Sequence, residues 1–147
     1  MAEFNLGLLA DNAHIDPSGK LYVLGEFRYI FSAQLPVQYP HFTVVLRWLA
    51  EIVEVRDQQN TIEIEIIDED GKVIAPKSPK IPIQFGEVGP AARGRAQAQM
   101  VLNMNGLVLP HYGDYAIHFF LNGVSCGKVV FYVMQPPSAS APPNVGR

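Results

Sequence analysis

The sequence is poor in cysteine and in long apolar runs, and each shortage excludes a class of protein. Cys126 is the single cysteine among 147 residues, so no disulfide can form within the chain and its stability must come from packing. A lone cysteine also favours a reducing compartment. No apolar stretch approaches the ~18 residues that a membrane-spanning helix needs, and the first residues lack the basic region typical of a signal peptide. We therefore expect a cytoplasmic protein with no membrane partner.

Positive charge is also scarce. The chain has 11 Lys and Arg residues against 14 Asp and Glu residues, a formal net charge of −3. Such a chain has no surplus of basic side chains to neutralise a phosphate backbone. The prediction that follows is that nucleic acid is not a partner.

The length and the distribution of proline predict one domain and a tail. A chain of 147 residues, 48% of them hydrophobic, fits a single folded domain. Four of its 12 prolines lie in the last 12 residues, within a segment rich in Pro, Ala and Ser that offers little to a core. We predict a β-sandwich domain over residues 1–134 and a flexible C-terminal tail over residues 135–147.

Apolar residues recur with a period of two, the pattern of strands that turn alternate side chains toward one core. Ile62, Ile64 and Ile66, for example, alternate with Glu63 and Glu65. One-sided strands of this kind favour antiparallel sheets. The predicted fold is an all-β, two-layer antiparallel sandwich of seven to eight strands, immunoglobulin-like in type. The strand segments are residues 4–13, 21–29, 42–50, 61–66, 95–104, 115–121 and 128–134.

Three features lie between these strands. Four segments have the turn chemistry of tight hairpins: Asp16-Pro17-Ser18-Gly19, Asp68-Glu69-Asp70-Gly71, Asn105-Gly106 and Asn122-Gly123. The three prolines within residues 73–83 predict an edge strand or a crossing loop. Residues 48–55 fit both strand and helical spacing, and we interpret them as a strand end followed by a loop.

Catalytic and metal-binding motifs are missing from the sequence. The four histidines, at positions 14, 41, 111 and 118, have none of the close spacings typical of metal sites. Ser125 follows a glycine turn but has no evident base, and no Gly-x-Ser-x-Gly motif is present. Cys126 is interpreted as a packing or turn-edge residue. We predict no catalytic residue, no metal and no cofactor, and keep a metal-dependent enzyme as a second alternative.

The aromatic residues suggest an interaction surface, because Trp and Tyr dominate interface hot spots. Its predicted members are Trp48, Tyr39, Tyr112 and Tyr132. The leading hypothesis is a non-catalytic protein-interaction or assembly module, with a protein partner or self-association along an edge strand. The first alternative is a sandwich that binds a small ligand or carbohydrate through Trp48 and neighbouring tyrosines.

The N-terminal region carries a recognisable pattern. Leu9-Ala10-Asp11-Asn12-Ala13-His14, followed by Gly19-Lys20-Leu21-Tyr22-Val23-Leu24-Gly25, resembles the opening of an uncharacterised family of small bacterial β-sandwich proteins. The resemblance implies a fold and no activity. If these two segments pair as a hairpin, the charges of Asp11 and Lys20 are predicted to meet across it.

Overall fold

Two β-sheets packed face to face form the protein. The computed structural model describes residues 2–87 and 93–137. Within them lie eleven strands and one helical turn: β1 (Glu3–Ile15), β2 (Leu21–Phe27), β3 (Tyr29–Phe31), β4 (Val37–Glu51), α1 (Ile52–Val55), β5 (Asn60–Asp68), β6 (Val73–Ala75), β7 (Ile81–Ile83), β8 (Gly86–Glu87), β9 (Arg95–Leu109), β10 (Gly113–Leu121) and β11 (Val124–Met134).

The strand order of each sheet defines its edges. The first sheet has the order β2-β1-β4-β9-β8. The second has the order β3-β11-β10-β5-β6, and β7 also pairs with β5. Every pair is antiparallel except β3 with β11, which is parallel. The predicted all-β sandwich is confirmed. The strand count is higher than predicted because β3, β6, β7 and β8 are too short to show a period of two.

The core is built from the alternating positions. Ile62, Ile64 and Ile66 are buried between the sheets, while Glu63 and Glu65 on the same strand lie on the outward face. Three aromatic rings, which we call the core cluster, fill the space between the sheets: Phe4, Trp48 and Phe119. Their centroids lie 5.3 to 6.3 Å apart, with interplanar angles of 45° to 89°.

Close packing around the core cluster requires glycine. A Cβ atom on Gly7 would collide with the Phe4 ring and the Val129 side chain, and one on Gly127 would also meet Phe4. Side chains in cores are packed at crystal density, so such a position has no room for an added methyl group. The two glycines therefore let the Phe4 ring lie against both sheets.

The hairpin of β1 and β2 contains the N-terminal sequence pattern. Asp11 lies opposite Gly25, which has a φ of +74° and whose Cβ, if present, would meet the Asp11 carboxylate. Lys20 is elsewhere: its backbone N–H donates to Asp16 Oδ1 at 3.0 Å, within the turn. The predicted pairing of Asp11 with Lys20 is wrong, because the register places Asp16 beside Lys20 and Gly25 beside Asp11.

Two local predictions also need correction. β4 runs on to Glu51 and is followed by the helical turn α1, where Glu51 and Glu54 form a capping box. Asn105-Gly106 makes no hairpin, since β9 passes straight through it. Gly106, with a φ of +66°, lies across from Pro40, which has no N–H for the ladder. The other three predicted turns do connect strands.

The chain after β11 is described only as far as Pro137. Residues 135–137 are exposed, and the rest of the predicted tail, residues 138–147, lies outside the described residues. Within the described ranges, no helix is long and apolar enough to cross a membrane.

Candidate functional site

Two of the four predicted interaction residues lie away from the surface. Trp48 is 0% exposed at the centre of the core. Tyr39 is half-buried and packs against Phe27 and Phe42. β4 is central in its sheet and is buried on both faces from Phe42 to Leu46, so its aromatic residues serve packing. Trp48 and Tyr39 are therefore removed from the interaction surface.

The other two predicted residues, Tyr112 and Tyr132, line one open groove of about 710 Å³ on the second sheet. We call it the aromatic groove. Its wall includes Tyr29 from β3 and the segment that follows β11, with Gln135 and Pro136. The remaining lining residues are Gly113, Asp114, Val133 and Met134. Grooves of this size are in the range that proteins use to hold ligands.

Tyr29, Phe31 and Tyr132 form a row of rings at the edge of this groove, which we call the aromatic row; Tyr132 is partly buried within it. Register pairs Tyr29 with Tyr132, so both side chains stand on the outward face. The Tyr29 ring lies 5.3 Å from that of Tyr132 and 6.4 Å from that of Phe31, each with an interplanar angle of 22°. Tyr29 is 53% and Phe31 54% exposed. Ile30 between them points inward and anchors β3 to the core.

Sequence reasoning missed Tyr29 and Phe31. Residues 21–29 alternate as if they formed one strand with Tyr29 inward. The chain instead leaves the first sheet after Phe27 and joins the second at Tyr29. The apolar Ile30, out of phase with Phe27, is the signal that would have revealed this change of face.

Carboxylates lie at one end of the aromatic groove. Asp114 is opposite Tyr132 in the ladder and also lines a second cavity of about 300 Å³, together with Glu69 and Lys128. The Glu69 carboxylate lies close to Gly113, since a Cβ atom on this glycine would be 2.6 Å from Glu69 Oε1. Asp114 and Glu69 make no ion pair with another described residue. This end of the groove is suited to a cationic group.

A hydrogen-bond network fixes the position of Tyr112. The Tyr112 hydroxyl donates to the carbonyl of Ser32 at 2.9 Å, and its own carbonyl faces His111 Nδ1 at 3.0 Å. His111 Nε2 lies 3.2 Å from Asp68 Oδ2. The buried Tyr115 hydroxyl donates to the His111 carbonyl at 2.6 Å. The loop between β9 and β10 is thereby held on the end of β5.

The charges of His111 and Asp68 are coupled. Both ring nitrogens of His111 face acceptors, the Tyr112 carbonyl and Asp68 Oδ2, so only the protonated ring can donate to both. These two contacts raise the pKa of His111 above its ordinary 6.5. Burial opposes ionisation of Asp68, but hydrogen bonds from the Lys72 backbone, His111 and the Asp70 backbone outweigh it and lower the pKa of Asp68 below 3.8.

A second polar group, Ser125 with His118 and Glu65, lies on the outward face of the same sheet. His118 Nε2 is 2.7 Å from Ser125 Oγ and His118 Nδ1 is 3.7 Å from Glu65 Oε1. The expectation that Ser125 has no base nearby is therefore wrong, because the β10–β11 hairpin brings His118 beside it. A serine and a base are the first requirement for nucleophilic catalysis. A cavity and oxyanion donors are also required, and neither Ser125 nor His118 lines the aromatic groove or the cavity at Asp114.

Cys126 and the remaining histidines do not form a reactive thiol site or a metal site. Cys126 packs against the core, and burial raises the pKa of its thiol, which disfavours the reactive thiolate. Within the described residues, no group of three or more His, Cys, Asp or Glu side chains is arranged to hold a metal ion. The aromatic groove is therefore the strongest candidate site.

The fold of the chain is similar to that of part of a solved structure. The chain matches an alkylpurine DNA glycosylase, AlkC, of Pseudomonas fluorescens, bound to DNA containing an abasic site analog, with 9% identity and a TM-score of 0.46. The match covers 90% of this chain and 30% of the glycosylase chain. The prediction that excluded nucleic acid is corrected on this finding and withdrawn, because net charge is a sum over the chain and says nothing of local charge. At this TM-score the likeness supports no role for this chain.

The sequence comparisons give the family. No curated protein matches the chain. A family model, described as a family of unknown function, matches residues 5–134. That range holds the N-terminal pattern, both sheets and the aromatic row. The chain belongs to this family of unknown function, DUF6941.

Proposed function

We propose that this protein is a non-catalytic interaction module that binds a segment of another protein in the aromatic groove. The aromatic row carries the proposal: three large rings stand together at an edge of the second sheet, and two of them, Tyr29 and Phe31, are about half exposed. Exposed aromatic clusters mark interaction sites, and Tyr is enriched at hot spots because it buries a large area at low entropic cost.

The support beneath the rings is rigid. Ile30 and Val133 bury their side chains in the core directly below the row. Backbone hydrogen bonds flank it, from Tyr132 N–H to the Arg28 carbonyl at 2.8 Å and from Ser32 N–H to the Met134 carbonyl at 3.0 Å. A surface that is fixed before binding loses little conformational freedom when a partner arrives. The groove is therefore pre-organised for binding.

The alternative of a sugar- or ligand-binding sandwich centred on Trp48 loses its main residue, since Trp48 is fully buried. The cytoplasmic location, argued from the single cysteine, stays part of this proposal.

A selection from a displayed random-peptide library tests the proposed function. The protein is used as bait beside the double variant Tyr29→Ala/Phe31→Ala, with Tyr22→Ala as a matched control. Tyr22 is also a tyrosine on an edge strand, 44% exposed, but in the first sheet. We expect peptides that bind the protein and the Tyr22→Ala variant, and that bind the double variant at least tenfold more weakly.

The proposal is overturned if no peptide is enriched, or if the enriched peptides bind the double variant as well as the unchanged protein. Circular dichroism and the thermal midpoint of each variant show that the fold is retained, so that lost binding is assigned to the rings.

A further inference from the structure

We infer that the aromatic groove binds a proline-rich peptide that carries a basic residue. The inference rests on the proposed function and names the class of its partner. It follows from three observations: the shape of the edge strand, the orientation and hydroxyl groups of the rings, and the carboxylates at one end of the groove.

The edge strand argues against the usual way in which a sheet binds a peptide. β3 has three residues, and β11 is its single neighbour among the described strands. Strand addition relies on a row of main-chain hydrogen bonds, and so short an edge offers few of them. A ligand that binds here must be recognised through side chains. A polyproline II segment is such a ligand, because it makes no main-chain ladder.

The rings of the aromatic row suit proline. Tyr29 lies within 22° of parallel to Tyr132 and to Phe31, and Tyr29 and Phe31 each keep about half of their surface open to solvent. Proline-rich segments dock on grooves lined in this way, and their rigid backbone loses little entropy on binding.

The tyrosine hydroxyls match the polar groups of such a ligand. Polyproline II carbonyls have no internal hydrogen bond, and a proline-rich chain has many acceptors but few N–H donors. Among the described residues, the hydroxyls of Tyr29 and Tyr132 have no hydrogen-bond partner, whereas that of Tyr112 is used on Ser32. Tyr29 and Tyr132 are therefore free to donate to peptide carbonyls.

The acidic residues at one end of the groove predict a basic residue in the ligand. Asp114 is next to Tyr132 across the ladder, and Glu69 lies beside Gly113, which lines the groove. The two carboxylates outnumber Lys128, the basic residue that lines the adjoining cavity with them, so this end of the row favours a Lys or Arg side chain of the peptide. An acidic proline-rich peptide would be repelled there.

Fluorescence anisotropy with labelled synthetic peptides tests the inference. The probes are a peptide of repeated Pro-Pro-Lys triplets, a peptide of Pro-Pro-Glu triplets, and a peptide of Ala-Ser-Lys triplets that keeps the charge without proline. We expect Pro-Pro-Lys to bind at least tenfold more tightly than either of the others. Tyr29→Ala and Tyr132→Ala should each weaken the affinity for the Pro-Pro-Lys peptide about tenfold or more, and Tyr22→Ala should leave this affinity unchanged.

Asp114→Asn tests the charge separately. This substitution should weaken the binding of the Pro-Pro-Lys peptide several-fold and reduce the ratio of its affinity to that of the Pro-Pro-Glu peptide. Tyr29→Ala should still weaken the binding of the Pro-Pro-Lys peptide when Asp114 is replaced. An unchanged ratio of the two affinities in Asp114→Asn would overturn the basic part of the inference.

Equal binding of Pro-Pro-Lys and Ala-Ser-Lys would overturn the proline part, as would an equal loss in Tyr22→Ala and Tyr29→Ala. If the displayed library yields proline-free peptides that need the aromatic row, this inference fails and the proposed function stands. If no peptide of any class needs the row, both fail.

Discussion

The core cluster and the aromatic row use the same kind of side chain in opposite ways. In the core cluster, Phe4, Trp48 and Phe119 meet at steep angles, up to 89°, so that the edge of one ring covers the face of another. In the aromatic row the rings lie within 22° of parallel and at the edge of a sheet. The rings of the core cluster are enclosed between the two sheets, whereas those of the row lie on the outward face, where Tyr29 and Phe31 keep surface open for a partner.

This difference separates stability from binding. A fully buried aromatic side chain contributes through its area and through the contacts of its close-packed neighbours. A half-exposed ring has given up much of that contribution and retains surface for an interface. We therefore expect substitutions in the core cluster to change the free energy of unfolding and substitutions in the aromatic row to change affinity.

The largest effect on stability is expected for Phe119→Ala, which removes a fully buried ring from the core cluster. Large-to-small changes of this kind cost about 3–5 kcal/mol. Urea unfolding followed by circular dichroism measures the loss. A cost below about 1 kcal/mol would show that the cluster is loosely packed and would remove the contrast with the row.

Gly7→Ala comes next, because the new methyl group would collide with Phe4 and Val129. Overpacking a core costs about 1–3 kcal/mol. Gly86→Ala is the matched control, since a Cβ there has nothing within 4 Å. Equal unfolding midpoints for the two variants would show that the Phe4 ring moves aside freely.

A smaller, pH-dependent effect is expected at the network that positions Tyr112. The pKa of His111 is raised in the folded protein. Its contribution to the free energy of unfolding is therefore full at pH values below the ordinary pKa of 6.5, and is lost as the pH rises through the folded-state pKa. The pKa of Asp68 is lowered in the folded protein. Its contribution to the free energy of unfolding is therefore present at pH values above the ordinary pKa of 3.8, and is lost as the pH falls through the folded-state pKa. The thermal midpoint, measured against pH, should fall on both sides of this window.

His111→Gln separates this network from other titrating groups. It should flatten the decline of the midpoint above pH 6.5, whereas His14→Gln, at an exposed ring stacked on Tyr22, should leave the decline in place. A decline that survives in His111→Gln would assign the pH dependence to another residue.

The smallest effect on stability is expected for Tyr29→Ala in the aromatic row. Exposed substitutions usually stay within about 0.5 kcal/mol, and Tyr22→Ala should behave alike in the same urea unfolding. The two variants should differ in peptide affinity. A destabilisation by Tyr29→Ala as large as that of Phe119→Ala would mean that the row is part of the core.

The strands with one buried face were predictable from the sequence, and the short edge strands were not. Ile62, Ile64 and Ile66 show their period directly, because every second residue of β5 meets the core. β3 shows no period in three residues, and its parallel neighbour, Tyr132 to Met134, is about a hundred positions away in the chain. A local pattern carries no information on such a partner.

Only part of the candidate site was predictable, again because a local sequence pattern does not show which strand lies at an edge. Tyr112 and Tyr132 were selected by residue type, and so was Trp48, which lies at 0% exposure in the core. Residue type alone does not separate a ring on a central strand from one at an edge. Ser125 and His118 likewise come into contact only through the hairpin of β10 and β11, and no sequence motif predicts this contact.

The parallel pairing of β3 with β11 also decides when the binding surface can exist. Tyr132 is synthesised after Tyr29, since it lies 103 positions further along the chain. A nascent chain that has not yet reached β11 has neither the second ring of the stack nor Val133 to hold Ile30 in place. A partner that recognises the row therefore binds the finished domain and ignores its unfinished precursors.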